Sequence, residues 1–260
     1  MRIAALILML ILANVANAGL TERELSSVRI APPPAAAVPL NLVLRDGAGE
    51  KIILREALAD RPALLVPVDY TCRTTCGPVL AIAATALSQT GLRPGTDFHL
   101  IVVGIDPNDD ATAARSITET HIVDDALAHE TRVLVGDARA VGALLGAIGY
   151  RTAYDAESDQ FAHPTAAFTL TADGRVARIL SSLALEPGDL RLALTEAGEG
   201  SIGGLSDQIA LLCYGYDPVH GIYTPATRRV LAGAAVLMIL ALVLALVLLR
   251  RRSSANAGAP

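Results

Sequence analysis

Ala63-Leu64-Leu65-Val66-Pro67-Val68 leads through Asp69 into Tyr70-Thr71-Cys72-Arg73-Thr74-Thr75-Cys76-Gly77-Pro78. The first stretch is a short, unbroken apolar run, suited to a strand buried on both faces. Beyond it, Val79, Leu80, Ile82, Ala83 and Leu87 recur at helical spacing, and Pro78 suits a first helical turn, where its missing amide costs little. The two cysteines therefore stand where a strand ends and a helix begins. Backbone amides exposed there favour thiolates, and Arg73 adds to that field. Positions i and i+4 share a helix face, so both sulfurs can reach one metal ion or each other.

Upstream, Leu40–Leu44 and Lys51–Leu54 flank Arg45-Asp46-Gly47 as an early hairpin. Downstream, Phe98–Ile105 is a second buried strand, followed by a polar helix from Asp109 to about Asp125. Arg132–Val135 is a third strand and Ala138–Ile148 a helix. Thr165–Thr171 and Arg175–Leu180 form a hairpin about Asp173-Gly174, and Leu190–Ala197 closes the domain as a helix. Strands alternating with helices between two hairpins predict an α/β fold, a thioredoxin-like mixed sheet flanked by helices, over residues 39–200. Pro32-Pro33-Pro34 and the alanines beside them make residues 19–38 an extended linker.

The two ends of the chain carry address signals. Met1-Arg2, an apolar run from Ile3 to Ala13 and Ala16-Asn17-Ala18 read as a secretory signal peptide over residues 1–18, cleaved after Ala18. The run is too short for an uncleaved anchor. Val230–Leu249 contains no charge and is long enough to span a bilayer, and Arg250-Arg251-Arg252 follow at once. With an exported N-terminus, residues 250–260 become a cytoplasmic tail and 201–229 a membrane-proximal segment. The expected location is a bacterial inner membrane, crossed once, with the folded domain in the periplasm.

A net charge of -5 and the lack of any basic tract exclude nucleic acid as a partner. Trp is absent and aromatics make up 3% of the chain, which argues against a sugar- or base-stacking surface. Three cysteines are too few for a disulfide scaffold. Met1, Met9 and Met238 all fall in the membrane-directed ends, so a soft-metal site in the domain must use cysteine.

Two thiolates suit Cu(I), and an added imidazole would let the same site hold Cu(II). Of five histidines, His163 in Ala162-His163-Pro164 stands on the loop entering the late hairpin, which in a thioredoxin-like fold approaches the start of the cysteine helix. His99, His121 and His129 read as structural or exposed, and His220 as solvated. Cys213 reads as a small buried hydrophobe. Asp69 is a candidate supporting group behind the ligands, and Asp106-Pro107 a chain turn.

The ordered set Cys72-x-x-x-Cys76, Ile105-Asp106-Pro107, Ala162-His163-Pro164 and Asp173-Gly174-Arg175 resembles the Sco/SenC family of copper chaperones. The resemblance runs from about Leu40 to Tyr223. Asp189–Leu194 and Leu211–Pro218 resemble the membrane-proximal end of a subgroup with a C-terminal anchor. It implies one copper, Cu(I) or Cu(II), on Cys72, Cys76 and His163, delivered to the binuclear copper centre in the copper-bearing subunit of cytochrome c oxidase. Family members often carry prolines around the cysteine pair, whereas here Arg73 follows Cys72 and Gly77 follows Cys76, which alters the stiffness of the loop.

The competing reading is a thiol-disulfide oxidoreductase that reduces the cysteines of a copper-receiving protein through Cys72 and Cys76. The spacing C-x-x-x-C departs from the C-x-x-C of ordinary thioredoxins. A peroxidase is disfavoured because Asp69 and Arg73 occupy the positions where Thr or Ser would precede a peroxidatic cysteine.

Overall fold

The structure is a computed structural model describing residues 19–72, 76–181 and 185–200, together with 216–217, 222–223 and Met238. The chain divides into two compact units, Met1–Gly204 and Leu205–Pro260. Of the second unit, Tyr216–Asp217 and Ile222–Tyr223 pair as antiparallel strands. Among the described residues no helix is long and apolar enough to cross a membrane. Residues 1–18, and Val230–Leu249 apart from Met238, lie outside the described residues.

In the first unit, a seven-stranded mixed sheet has β4 (Ala63–Val68) and β5 (His99–Gly104) at its centre. Strands β11 (Val176–Ser181) and β10 (Ala166–Leu170) lie beyond β4. On the other side β5 is followed by β6 (Arg132–Val135), β2 (Val43–Asp46) and β3 (Lys51–Ile53). β4, β5 and β6 are mutually parallel; β10 runs antiparallel to β4, and β2 antiparallel to β6.

The apolar run of β4 is explained by burial on both faces. Leu64, Val66 and Val68 face a core completed by helices α3 (Cys76–Ser88), α4 (Ala111–His121) and α7 (Pro187–Gly198). Ala63 and Leu65 face another, completed by α2 (Leu54–Leu58) and α6 (Ala138–Ala147). All six β4 residues are buried, as are all six of β5. Alternate side chains thus serve opposite layers, leaving no polar position in the strand.

The predicted hairpins, central strands and three of the four main helices appear at their expected places. The stretch expected as one helix to Asp125 is instead α4 and a separate α5 (Asp125–Glu130). Ile122 ends the first in extended backbone, and Asp124 caps the second by accepting from Leu127 N–H.

Residues 19–38, expected as a linker, are extended over much of their length but laid against the domain. They begin with a short helix, α1 (Glu22–Ser27), closed by a capping box between Thr21 and Glu24. Strand β1 (Arg29–Ile30) then pairs antiparallel with β7 (Tyr150–Arg151). Ala31 donates to Gly149 O, Val38 donates to Gly174 O, and Ala36 O accepts from Val176. Gly149 adopts φ 65°, and a side chain there would collide with the Ala31 carbonyl. Glycine is what permits this close approach.

Candidate metal centre

Parallel strands β4 and β5 end side by side, and their outgoing loops meet the start of α3 at one end of the sheet, where α/β folds place ligands. Val68 leads into Asp69, which is 1% exposed. Asp69 Oδ1 accepts from the Thr71 N–H at 3.0 Å and the Thr71 hydroxyl at 2.9 Å, and its backbone carbonyl accepts from Cys72 N–H at 3.1 Å. These bonds curl the chain so that Cys72 faces the helix start. The other carboxylate oxygen, Oδ2, accepts from Phe161 N–H at 3.1 Å.

Phe161 belongs to β9 (Gln160–Ala162), which pairs with β8 (Ala153–Asp155) in a small hairpin absent from the sequence expectation. Its next residues are His163 and Pro164. Asp69 therefore fastens the cysteine loop to the strand that delivers the histidine, which gives the expected supporting group a definite task.

Cys72, Cys76 and His163 come together as expected. Their ligand atoms all lie within 4.8 Å of one another, and Cys76 Sγ stands 3.1 Å from His163 Nε2. Cys76 is 3% exposed, while Cys72 and His163 are half-buried. No disulfide joins the two sulfurs. Contact with the Cys72 sulfur, reinforced by burial, pushes the Cys76 thiol far above its ordinary range. A metal ion must therefore displace its proton.

The donor set fits a soft metal. At bond lengths of about 2.0–2.3 Å, imidazole and thiolate donors on one ion stand roughly 3.5–4 Å apart, so the Cys76–His163 contact has only to open by about half an ångström.

Behind His163 sits a residue that sequence reasoning missed. Tyr150, 3% exposed, donates its hydroxyl proton to Pro164 O, and its oxygen lies 2.9 Å from His163 Nδ1. His163 Nδ1 is also 3.0 Å from Pro164 O. The Tyr150 ring packs edge-on against Phe168, with centroids 6.0 Å apart.

The remaining candidates fall elsewhere. Asp106 Oδ1 accepts from Asn108 N–H at 2.8 Å, forming the expected turn. His99 is buried at the opposite end of β5, and His129 is exposed beside Glu130. His121, on α4, packs its ring onto Gly77 where any side chain would collide with it. Cys213 and His220 lie outside the described residues.

No protein-family model matches the chain, and no curated protein matches it significantly. Solved structures do share its fold. An Aquifex aeolicus VF5 protein provisionally named for electron transfer is 21% identical, with 64% of this chain aligned to 95% of that one at a TM-score of 0.56. A SCO1/SenC family lipoprotein from Bacillus anthracis str. Ames is 14% identical over 64% of this chain and 99% of that one, with a TM-score of 0.52. Arabidopsis thaliana ScoI, solved with copper bound, is 14% identical over 62% and 99%, with a TM-score of 0.51. At such identities the likeness is one of fold, the thioredoxin-like arrangement expected from the alternation of strands and helices.

Proposed function

We propose that this chain is a copper-binding assembly factor of the Sco/SenC type, held at a bacterial inner membrane by its C-terminal helix with its domain in the periplasm. It takes one copper on Cys72, Cys76 and His163 and hands it to the copper-bearing subunit of cytochrome c oxidase. The observation that carries the reading is the convergence of these three donors, from two distant parts of the chain, at one end of a thioredoxin-like domain. Two sulfurs and one imidazole nitrogen form a soft set that prefers copper over hard cations.

The burial of the ligands gives the transfer a direction. Cys72 and His163 are half-buried and open to a recipient, whereas Cys76 is enclosed. Ligand exchange thus begins at Cys72 or His163, and Cys76 lets go last. Loading releases the thiol protons, so uptake strengthens as pH rises.

The oxidoreductase reading uses the same pair. The Cys72 thiolate would attack a partner disulfide and expel one partner thiolate. Cys76, giving up its proton, would then attack the Cys72 sulfur of that mixed disulfide and expel the second partner thiolate, so that two electrons pass to the partner and the pair is left as a disulfide. The contact between the two sulfurs favours this second reading, but the departure from C-x-x-C spacing and the neighbouring imidazole favour the first.

The test is copper stoichiometry on the full-length chain in detergent with reduced thiols. One copper per chain, lost in Cys76→Ser and weakened in His163→Ala, is the expected result. A folded, reduced protein that retains no copper would overturn the chaperone reading and leave the oxidoreductase.

A further inference from the structure

We infer that Tyr150 is a positioning residue that presents Nε2 of His163 to the metal by holding the opposite edge of the ring. The inference rests on the copper reading for its function, but its geometry stands apart from any metal.

The hydrogen-bond roles assign the tautomer. Pro164 O can only accept, and it receives the Tyr150 hydroxyl proton. The Tyr150 oxygen is then left with lone pairs toward His163 Nδ1, 2.9 Å away. Pro164 O, 3.0 Å from the same nitrogen, offers lone pairs as well. Both neighbours of Nδ1 are thus acceptors, so in the neutral ring Nδ1 carries the proton and Nε2 carries the lone pair. Nε2 is the atom that faces Cys76 Sγ at 3.1 Å. Nε2 therefore offers the lone pair that a ligating imidazole needs, and the Cys76 thiol stands as its donor.

Tyr150 can hold this position because it is itself held on several sides. Its backbone is paired to Ile30 through the N-terminal strap, Gly149 before it accepts from Ala31 N–H, and its ring is wedged against Phe168. Its hydroxyl is buried against Pro164 O, which can only accept, so the hydroxyl stands as the donor in that pair. Groups of this kind behind a ligating histidine change metal affinity by about 10–100-fold when removed. The effect falls on the imidazole, so it weighs more on Cu(II), which needs the nitrogen, than on Cu(I), which two thiolates satisfy.

The experiment compares wild type with Tyr150→Phe in the full-length protein, folding being checked by circular dichroism. The first readout is the His163 tautomer in metal-free protein, from ring 15N shifts assigned with His163→Ala. Wild type is expected as the Nδ1–H form alone, and Tyr150→Phe as a mixture of both forms. The second readout is copper affinity, with Cu(II) binding expected to weaken about tenfold and Cu(I) binding to change much less. A wild-type ring protonated on Nε2, or a tautomer unmoved in Tyr150→Phe whatever the copper does, overturns the inference. Absence of copper binding in wild type would instead sink the proposed function, and the tautomer would still decide the role of Tyr150.

Discussion

Replacing Asp109 by Asn should make the protein more stable at alkaline pH and leave it unchanged in acid. Asp109 is 8% exposed; its Oδ2 accepts from Tyr70 N–H at 3.1 Å, while its Oδ1 is buried with no hydrogen-bond partner among the described residues. Burial, with added repulsion from Asp69, Asp106 and Asp110, lifts its carboxyl from 3.8 to about 7, against the opposing pull of the Tyr70 amide. The folded state therefore keeps this proton to higher pH than the unfolded chain does. Between about pH 4 and 7 the native state binds more protons, so stability falls as pH rises through that window and levels off above it. A displacement of that size corresponds to about 4 kcal/mol in full, and access of water to this loop-rich end cuts it to about 1–2 kcal/mol. Asn can still accept from Tyr70 through its amide oxygen and carries no charge. Urea unfolding of metal-free wild type and Asp109→Asn, followed by circular dichroism, should show the variant ahead by about 1–2 kcal/mol at pH 8 and level with wild type at pH 4. A difference of equal size at both pH values, or a variant less stable at pH 8, would refute the account.

Other substitutions probe the frame of the site. Asp69→Ala strands the Thr71 and Phe161 amides, which should cost about 2–4 kcal/mol in urea unfolding and weaken copper binding along with it; an unchanged midpoint would remove Asp69 from its fastening role. In Gly149→Ala the methyl meets the Ala31 carbonyl in left-handed backbone, costing about 1–2 kcal/mol. Limited proteolysis should then cut within residues 29–38, and a strap as resistant as in wild type would contradict the contact. Either Cys72→Ser or Cys76→Ser should abolish tight Cu(I) binding in competition with a chelator, since one thiolate and one imidazole hold Cu(I) poorly.

What the sequence disclosed depended on how local the cause was. The two-faced burial of β4 is written in six successive residues, and the sulfur pair in five. His163 was singled out through the family resemblance of Ala162-His163-Pro164, since its place on the loop entering the late hairpin suggested an approach to the cysteine helix without fixing it. The β8–β9 hairpin was hidden because its turn contains no glycine; Asp159 takes up φ 52° there, which a short polar side chain tolerates. The break between α4 and α5 was signalled by Asp124, a capping residue that the polar pattern around it concealed. The strap was misleading for a physical reason. Prolines 32–34 cannot donate, which suggests a free linker, yet Ala31 and Val38 on either side donate, and Ala36 accepts. Tyr150 could not be found from periodicity, since its importance lies in one oxygen meeting a ring thirteen positions away.

The strap and the histidine loop are both long closures, and they complete the site after its cysteine pair. Cys72 and Cys76 are neighbours from the moment they are made, whereas Cys76 and His163 are separated by 87 residues, and the strap and Gly149 by roughly 120. Closures of that span are among the slow events of folding. A nascent or partly folded chain therefore shows a bare dithiol first, and gains its imidazole and the tyrosine behind it only when both ends of the domain have come home. Copper met too early would find two sulfurs and no nitrogen, and the finished three-donor site is itself a sign that folding is complete.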